Sequence, residues 1–224
     1  MPAPSPSLDW DGYAERWSRS HGGYDPRTAS PVVRGWLRLS FRIGSALIRA
    51  GVRSPNAVTA AGLLLAAAVP MTALGGRRAA VAGAVLVLLS AVADSVDGVL
   101  AVVTGRASRL GQVWDSAADR LSEAAWMTAF WLLGAPAWLA VGGTGLMWLH
   151  EYLRARATVA GMSGIGTVTV AERPTRVLLA IFGLLAAAAV PAGATAALVV
   201  TAVLGITGLV QLVIAVRKAL TPDR

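Results

Sequence analysis

The segment AAVAGAVLVLLSAVADSVDGVLAVV, residues 79–103, decides the fold class of this chain. It is almost entirely apolar and longer than the roughly 20 residues that a helix needs to cross the hydrocarbon core of a bilayer. It nevertheless contains Asp94 and Asp97, and an ionised carboxylate at membrane depth is unfavourable by about 2.5–3.5 kcal/mol on insertion scales. The segment therefore predicts a membrane helix whose two acids face protein, water or a cation instead of lipid.

Five more apolar stretches of similar length predict further spans. The connections between them, such as Gly-Gly at 75–76 and Pro-Ala-Gly at 191–193, are too short to hold soluble domains. The predicted fold is an all-α, polytopic membrane protein with six transmembrane helices and an N-terminal interfacial amphipathic helix. The six candidate spans are residues 57–74, 79–103, 112–133, 136–156, 174–191 and 194–216.

The composition of the 224-residue chain agrees with this fold. Apolar residues make up 55% and charged residues 14%, against roughly 25% charged in an average soluble domain, and the mean hydropathy is +0.61. These values argue against a disordered chain, an ordinary soluble enzyme and a membrane barrel, whose strands alternate apolar and polar residues. The chain has no cysteine, which excludes disulfides and thiolate metal sites.

The residues before the first span divide into a polar segment and a basic helix. Arg34, Arg38 and Arg42 follow one another at intervals of four among large apolar residues, which is typical of a helix lying in the headgroup region. The alternative is an amphipathic helix packed on the bundle. The predicted domains are a cytoplasmic N-terminal extension (1–30), the interfacial helix (31–53), a six-helix catalytic domain (54–218) and a cytoplasmic tail (219–224).

The charge distribution predicts the orientation in the membrane. The net charge of +8 comes from cations that concentrate at the ends of apolar stretches, which favours a membrane and not a nucleic acid as the partner. Nine cations lie at or beyond the ends of the second, fourth and sixth spans, on the same side as the N-terminus: Arg106, Arg109, Arg154, Arg156, Arg173, Arg176, Arg217, Lys218 and Arg224. The positive-inside rule therefore places both termini and the active site on the cytoplasmic side of the cell membrane. Arg77 and Arg78 are the exception.

Carboxylates on two successive spans are spaced so that they can share one site. Asp94 and Asp97 lie three residues apart, while Asp115, Asp119 and Glu123 follow at intervals of four, so each set occupies one helix face. If the two helices run antiparallel, the sets converge near the cytoplasmic surface. Four carboxylates without a neighbouring histidine or cysteine suit Mg²⁺ or Mn²⁺ and not zinc.

Small residues interleave with these acids and predict a cleft. Gly98, Ala101 and Gly111 lie on the same helix faces as the acids and have no side chain or only a methyl group, which leaves space there. An alternative reading makes the acids internal charge pairs that hold the helices together. Those pairs would join Asp97 to Arg106 or Arg109, and Asp115 or Asp119 to Arg120.

The segment D-S-V-D-G-V-L-A-V (94–102), followed after eight residues by G-Q-V-W-D-S-A-A-D (111–119), closely resembles the signature of the CDP-alcohol phosphotransferase (CDP-alcohol phosphatidyltransferase) family. That signature reads D-x2-D-G-x2-A-R-x8-G-x3-D-x3-D. Every acid and both glycines match in type and spacing, and Val102 stands where the family has arginine. The run Ser54-Pro55-Asn56 with Thr59 is similar to the start of the family's first span.

The resemblance implies a membrane enzyme of phospholipid synthesis that requires Mg²⁺ or Mn²⁺, with two ions. A CDP-linked lipid such as CDP-diacylglycerol gives its phosphatidyl group to an alcohol, CMP is released, and the enzyme is a homodimer. Asp119 is then the catalytic base. The implied metal ligands are Asp94, Asp97, Asp115 and Asp119, and the implied CDP-binding residues are Asn56, Thr59, Gly98, Ala101 and Gly111.

Within the family, the runs Y-L-R-A-R-A (152–157) and E-R-P-T-R (172–176) are similar to actinobacterial phosphatidylinositol-phosphate synthases. This similarity implies that Arg154, Arg176 and Arg217 bind the phosphate of an inositol phosphate acceptor. The alternative is that these arginines only satisfy the positive-inside rule or pair with Glu151 and Glu172. Glycerol phosphate and other polar alcohols remain open as acceptors.

Two further functions remain open from the sequence. Acids inside a helical bundle also mark ion paths, so the chain could be a divalent-cation transporter. A conduction path would continue through the outer half of the bundle, where the first, fifth and sixth spans offer few polar groups beyond threonine and Gln211. A catalytically degenerate, lipid-binding family member is the other alternative, because Val102 replaces the family arginine.

Overall fold

The structure is a computed structural model that describes residues 9–20, 23–162 and 168–221. Within these ranges the chain forms eight α-helices and no β-strand, which confirms the all-α prediction. Parts of the predicted extension and tail lie outside the described residues. The helices are α1 (Trp10–Ser20), α2 (Pro31–Arg49), α3 (Pro55–Leu74), α4 (Ala80–Val103), α5 (Arg109–Leu132), α6 (Ala137–Val159), α7 (Arg173–Ala189) and α8 (Gly193–Leu220).

Three helices of the described residues are long and apolar enough to cross a membrane. They are α3, α4 with the 3₁₀ turn that precedes it, and α8. Helices α5 and α6 have 24 and 23 residues, which is sufficient length, but both contain several charged residues. Helix α7 has 17 residues. The structure thus supports a membrane protein, while the count of six spans and the position of α2 in the headgroup region stay predictions.

The turn between α4 and α5 is built by a helix-ending glycine. Gly105 has a φ of +67°, a left-handed conformation that residues with a Cβ adopt reluctantly. The backbone N–H groups of Arg106 and Ala107 both donate to the carbonyl of Ala101, and Ser108 Oγ accepts from Gly111 N at 3.0 Å. These bonds end α4 and start α5, so the signature residues on the two helices lie on either side of one short turn.

One compact unit consists of the described residues up to Gly62 together with Ala91–Ala118. Its apolar core is formed by Val58, Val96 and Leu100, with partly buried residues of α2 packed against them. Helix α2 lies close to α4, because a Cβ added to Gly44 would be 2.7 Å from Val99 Cγ1. The core thereby holds α2, α3 and α4 around the signature segment.

The N-terminal helix α1 is attached to α2 by aromatic rings. Tyr13 is 1% exposed and stacks on Phe41 with ring centroids 5.1 Å apart, while Trp10 meets the edge of the same phenyl ring. The guanidinium of Arg38 lies 5.3 Å from the Trp10 ring centroid, within cation–π range. Burial raises the pKa of the Tyr13 hydroxyl. We call these four side chains the aromatic anchor.

The second unit consists of Leu63–Ser90 and the residues from Asp119 onward. Helix α8 packs against α6 and α7, around a core that includes Trp126, Phe130 and Leu184. Small residues allow the close approach, as is common between membrane helices. A Cβ on Gly193 would lie 2.3 Å from the Ala186 carbonyl, so only glycine fits at the start of α8.

Candidate active site

A cavity of about 400 Å³ in the first unit contains most of the residues that the sequence singled out. Three carboxylates line it, those of Asp94, Asp97 and Asp115. The five residues predicted to contact a nucleotide line it as well: Asn56, Thr59, Gly98, Ala101 and Gly111. Pockets of this size with a few convergent polar groups are typical binding sites for small molecules.

Helical periodicity explains why these side chains share the cavity. Asp94, Asp97 and Ala101 follow at intervals of three and four on α4, and Gly111 and Asp115 are four apart on α5, so each set forms a stripe along its helix. The turn at Gly105 joins the two helices. A Cβ added to Gly98 would meet no atom within 4 Å, so any larger side chain there would occupy the cavity.

Asp94 and Asp115 come together across the two helices. Both are partly buried, and each offers an oxygen within 4.8 Å of the other. Asp119 follows Asp115 by one turn on the continuous helix α5. Such an all-oxygen donor set fits a hard divalent cation such as Mg²⁺ or Mn²⁺. The donor atoms of Asp94 and Asp115 are therefore of the kind that the predicted metal site requires.

Asp97 is held by a side chain of α3. It is 6% exposed, and its Oδ2 accepts a 2.5 Å hydrogen bond from Thr59 Oγ1. The charge-pair alternative joined Asp97 to Arg106. In the structure, Arg106 Nη1 instead donates to the carbonyl of Arg53 at 3.2 Å. Thr59, predicted as a nucleotide contact, thus also fixes the orientation of an acid of the signature.

The signature's departure at Val102 changes the lining of the cavity. Val102 is part of that lining, and so is Arg106, one helical turn further along the chain. Arg106 therefore supplies a cation to the cavity in which Val102 replaces the family arginine. Tyr13, Trp17 and Leu37 complete the lining from α1 and α2, which the sequence did not predict.

Arg176 lies in the interior of the second unit. Its side chain is 2% exposed, and its Nη1 donates to Glu123 Oε1 at 2.9 Å. Its Nη2 lies 2.9 Å from Glu151 Oε1 and 3.1 Å from His150 Nδ1, and its Nε donates to the Ala171 carbonyl at 2.7 Å. Arg176 therefore connects α5, α6 and the residues before α7 by buried, charge-assisted hydrogen bonds.

Arg154 belongs to the same set of contacts. It pairs with Glu172 Oε1 at 2.5 Å, and this oxygen also accepts from Thr169 N and Oγ1 at 2.8 and 2.9 Å. Thr169 Oγ1 lies 3.0 Å from His150 Nε2, which leads back to Arg176. We call this set the arginine network; its members are Arg120, Glu123, His150, Glu151, Arg154, Thr169, Glu172 and Arg176.

Asp119 begins the second unit and is ion-paired within it. Its partners are Arg173, at the first position of α7, and Arg120 at 3.7 Å. The charge-pair alternative for Asp119 and Arg120 is thus present in the structure. Arg173 was not among the predicted site residues, although it stands in the E-R-P-T-R run that carried the resemblance.

Arg217 lies apart from the other two predicted acceptor residues. It lines a largely apolar cavity of about 350 Å³ together with Arg156 and residues of α6 and α8. The structure therefore brings Arg154 and Arg176 into one network and places Arg217 at a different cavity.

A family model matches most of the chain. The model of the CDP-alcohol phosphatidyltransferase family covers residues 52–219. Helices α1 and α2 precede the matched residues, whereas the signature, the cavity carboxylates and the arginine network all lie within them.

Curated relatives come from bacteria and archaea. The chain is 32% identical to the phosphatidylinositol phosphate synthase of Mycolicibacterium smegmatis over 156 residues, which are 66% of this chain and 68% of that protein. It is 33% identical to the archaetidylinositol phosphate synthase of Pyrococcus horikoshii over 147 residues, 62% of this chain and 72% of that protein.

Solved structures share the fold. The phosphatidylinositol phosphate synthase of Mycobacterium tuberculosis with CDP-DAG bound superposes with a TM-score of 0.68 at 24% identity, covering 84% of this chain and 98% of that one. The same enzyme in complex with manganese and citrate gives the same TM-score and identity, covering 83% and 92%. At this identity the likeness establishes the fold and not the ligands.

Proposed function

Because the chain belongs to the CDP-alcohol phosphatidyltransferase family, we propose that it transfers the phosphatidyl group of CDP-diacylglycerol to a hydroxyl of a phosphorylated polyol such as inositol phosphate, with release of CMP. Family membership makes it a transferase that moves a substituted phosphate group from a CDP-linked lipid to an alcohol. The observation that carries the proposal is the cavity in which three signature carboxylates and all five predicted nucleotide contacts meet. Relatives from two domains of life, named phosphatidylinositol phosphate synthase and archaetidylinositol phosphate synthase, support the acceptor.

The reaction is a displacement at the lipid-bearing phosphorus of the CDP-lipid. The acceptor oxygen forms a bond to that phosphorus, the bond to the bridging oxygen of the pyrophosphate breaks, and CMP leaves with the electron pair. We assign Asp94, Asp97, Asp115 and Asp119 to hold two divalent cations. A bound divalent cation offsets the charge of the pyrophosphate and of the leaving CMP. Thr59 keeps Asp97 oriented toward the site.

Asp119 is proposed to take the proton of the acceptor hydroxyl. Its position one turn beyond Asp115 on α5 puts it next to the proposed cation ligands in the chain. Its carboxylate is ion-paired with Arg173, and a carboxylate within reach of the acceptor hydroxyl can act as its general base. Arg173 also supplies a cation beside the proposed base, where an anionic acceptor would bind.

The acceptor phosphate is proposed to bind at the arginine network. Arg154 is 21% exposed, so its guanidinium can reach a ligand, and a planar fork suits bidentate capture of phosphate. Arg176 is buried and each of its three guanidinium nitrogens already has a hydrogen-bond partner. We therefore assign Arg176 to position the other members of the arginine network. Binding of the acceptor phosphate by Arg217 stays a prediction, because Arg217 lines a cavity with Arg156 and does not belong to the arginine network.

The membrane arrangement is proposed from the sequence and the family. We propose a multi-pass protein with six spans, an interfacial α2, and both termini and the active site on the cytoplasmic side. The three apolar helices and the basic ends of the other stretches support this arrangement. A homodimer is proposed on the resemblance alone.

The proposal is tested by an acceptor panel. The purified chain in lipid nanodiscs with Mg²⁺ and labelled CDP-diacylglycerol should release CMP and form lipid product fastest with a phosphorylated polyol. The panel contains inositol phosphate, glycerol phosphate, inositol, glycerol and serine. If the fastest reaction occurs with an acceptor that has no phosphate, the assignment of a phosphorylated acceptor is wrong, while the assignment as a transferase stands. CMP binding without release for any acceptor would favour the degenerate, lipid-binding alternative, and cation flux without release would favour a transporter.

Arg154→Ala is expected to raise the KM for the phosphorylated acceptor about tenfold, because lost ground-state contacts appear in KM. The KM for CDP-diacylglycerol should remain near its original value, since Arg154 lies outside the nucleotide cavity. Initial rates at varied acceptor and fixed donor measure this. Arg156→Ala, two residues further along α6 and at the separate cavity with Arg217, is the matched control. Equal changes in both variants would contradict the assignment.

A further inference from the structure

The N-terminal helix α1 lies outside the residues matched by the family model, yet it forms part of the cavity wall. Tyr13 and Trp17 line the same space as Asp94 and Asp115. Resting on the proposed function, we propose that Trp17 stacks on the cytosine base of the CDP-lipid. Helix α1 would then be a nucleotide-binding element outside the residues that the family model matches.

The aromatic anchor fixes α1 firmly enough for such a role. Tyr13 is almost completely buried and stacks on Phe41, and Arg38 covers the Trp10 ring. The stacked pair and the cation–π contact each add to the stabilisation that the rings gain from burial. Helix α1 is therefore held on α2 by residues other than Trp17.

Trp17 stands on the same face of α1 as Tyr13, one turn further along. It is only partly buried, in contrast to Tyr13, and it forms part of the cavity lining. Tyr24 meets it edge to face, with ring centroids 6.1 Å apart and an interplanar angle of 63°, which restricts the orientation of the indole. Tyr13 thus serves as an anchor, while Trp17 presents ring surface to a ligand.

The two sides of the cavity suit the two parts of a nucleotide. The carboxylates of Asp94, Asp97 and Asp115 lie on α4 and α5, where cations and the pyrophosphate are proposed to bind. Trp17, Leu37 and Val102 provide apolar surface in the same cavity. A base placed against Trp17 would keep its flat face out of water, and such stacking contributes substantially for any base.

The test compares two ligands that differ only in the base. CMP and ribose 5-phosphate share the sugar and the phosphate, and their affinities for the full chain in nanodiscs with Mn²⁺ are measured by calorimetry. Trp17→Ala should weaken CMP binding about tenfold and leave ribose 5-phosphate binding unchanged. The KM for CDP-diacylglycerol should rise by a similar factor. Trp17→Phe should keep most of the CMP affinity, whereas Trp17→Leu should not.

Trp138→Ala serves as the matched control, because Trp138 is 73% exposed on α6 and is outside the cavity lining. Equal weakening of both ligands by Trp17→Ala would overturn the proposal, since Trp17 would then act by shaping the cavity. Unchanged CMP binding would overturn it as well. A native chain that binds neither CMP nor CDP-diacylglycerol would remove the proposed function itself, which separates that failure from a failure of the stacking role. If Trp17→Ala does not fold, the Phe and Leu variants decide.

Discussion

Asp94→Asn and Asp115→Asn should each reduce CMP release from CDP-diacylglycerol by about a thousandfold or more, on the scale of losing one electrostatic contact that stabilises a transition state. The amide keeps the size of the side chain and removes its charge. Because the two carboxylates approach within 4.8 Å, a bound cation would relieve their repulsion, and neutralising either one would weaken the binding of that cation. Initial-rate assays with Mg²⁺ and the best acceptor measure the loss.

A second measurement distinguishes the loss of cation binding from a general loss of folding. Mn²⁺ binding, followed by electron paramagnetic resonance, should weaken in both variants while their melting temperatures stay close to that of the native chain. Asp25→Asn is the control, because Asp25 forms a surface ion pair with Arg27 outside the cavity. Native rates in Asp115→Asn would remove the metal site from the mechanism.

Arg176→Met should lower the free energy of unfolding by about 3–5 kcal/mol, the range for breaking a buried ion pair on one side. The reason is Glu123, whose side chain is fully buried and whose Oε1 accepts from Arg176. Without the guanidinium, a carboxylate remains in the interior with less compensation. Denaturation in detergent, followed by circular dichroism, measures the change.

A double variant distinguishes this buried pair from ordinary surface charge. Glu123→Leu combined with Arg176→Met should recover much of the lost stability, because both charges leave the interior together. Arg19→Met breaks the exposed pair with Glu15 on α1 and should change stability by less than about 1 kcal/mol. If Arg176→Met is as stable as the native chain and instead raises the acceptor KM, Arg176 contacts the acceptor directly, as the sequence predicted.

The spacing of the signature was sufficient to predict that Asp94, Asp97 and Asp115 lie at one cavity. Intervals of three and four on two helices joined by a short turn restrict Asp94, Asp97 and Asp115 to one region, whatever surrounds them. The environment of Arg176 was not predictable in this way. Its partner Glu123 is 53 residues away in sequence, and an arginine near the end of a span reads equally well as a ligand contact or as a positive-inside charge.

The contribution of α1 was missed for a different reason. Trp10, Tyr13 and Trp17 follow at helical intervals, but no spacing relates them to α4 or α5. Their place at the cavity depends on Phe41 and on the close approach of α2 to α4 at Gly44. Such contacts become visible only when the helices are packed.

The arginine network also bears on how the chain is made. Helices α3, α4 and α8 are apolar enough to partition into lipid individually, whereas α5, α6 and α7 contain the network's charges. Glu123 is synthesised well before Arg176, which neutralises it, so α5 emerges from the ribosome with a carboxylate that has yet to meet this partner. If these helices span the bilayer as proposed, we expect α5, α6 and α7 to enter it together, because the carboxylate of Glu123 gains its contact with Arg176 only when α7 is present.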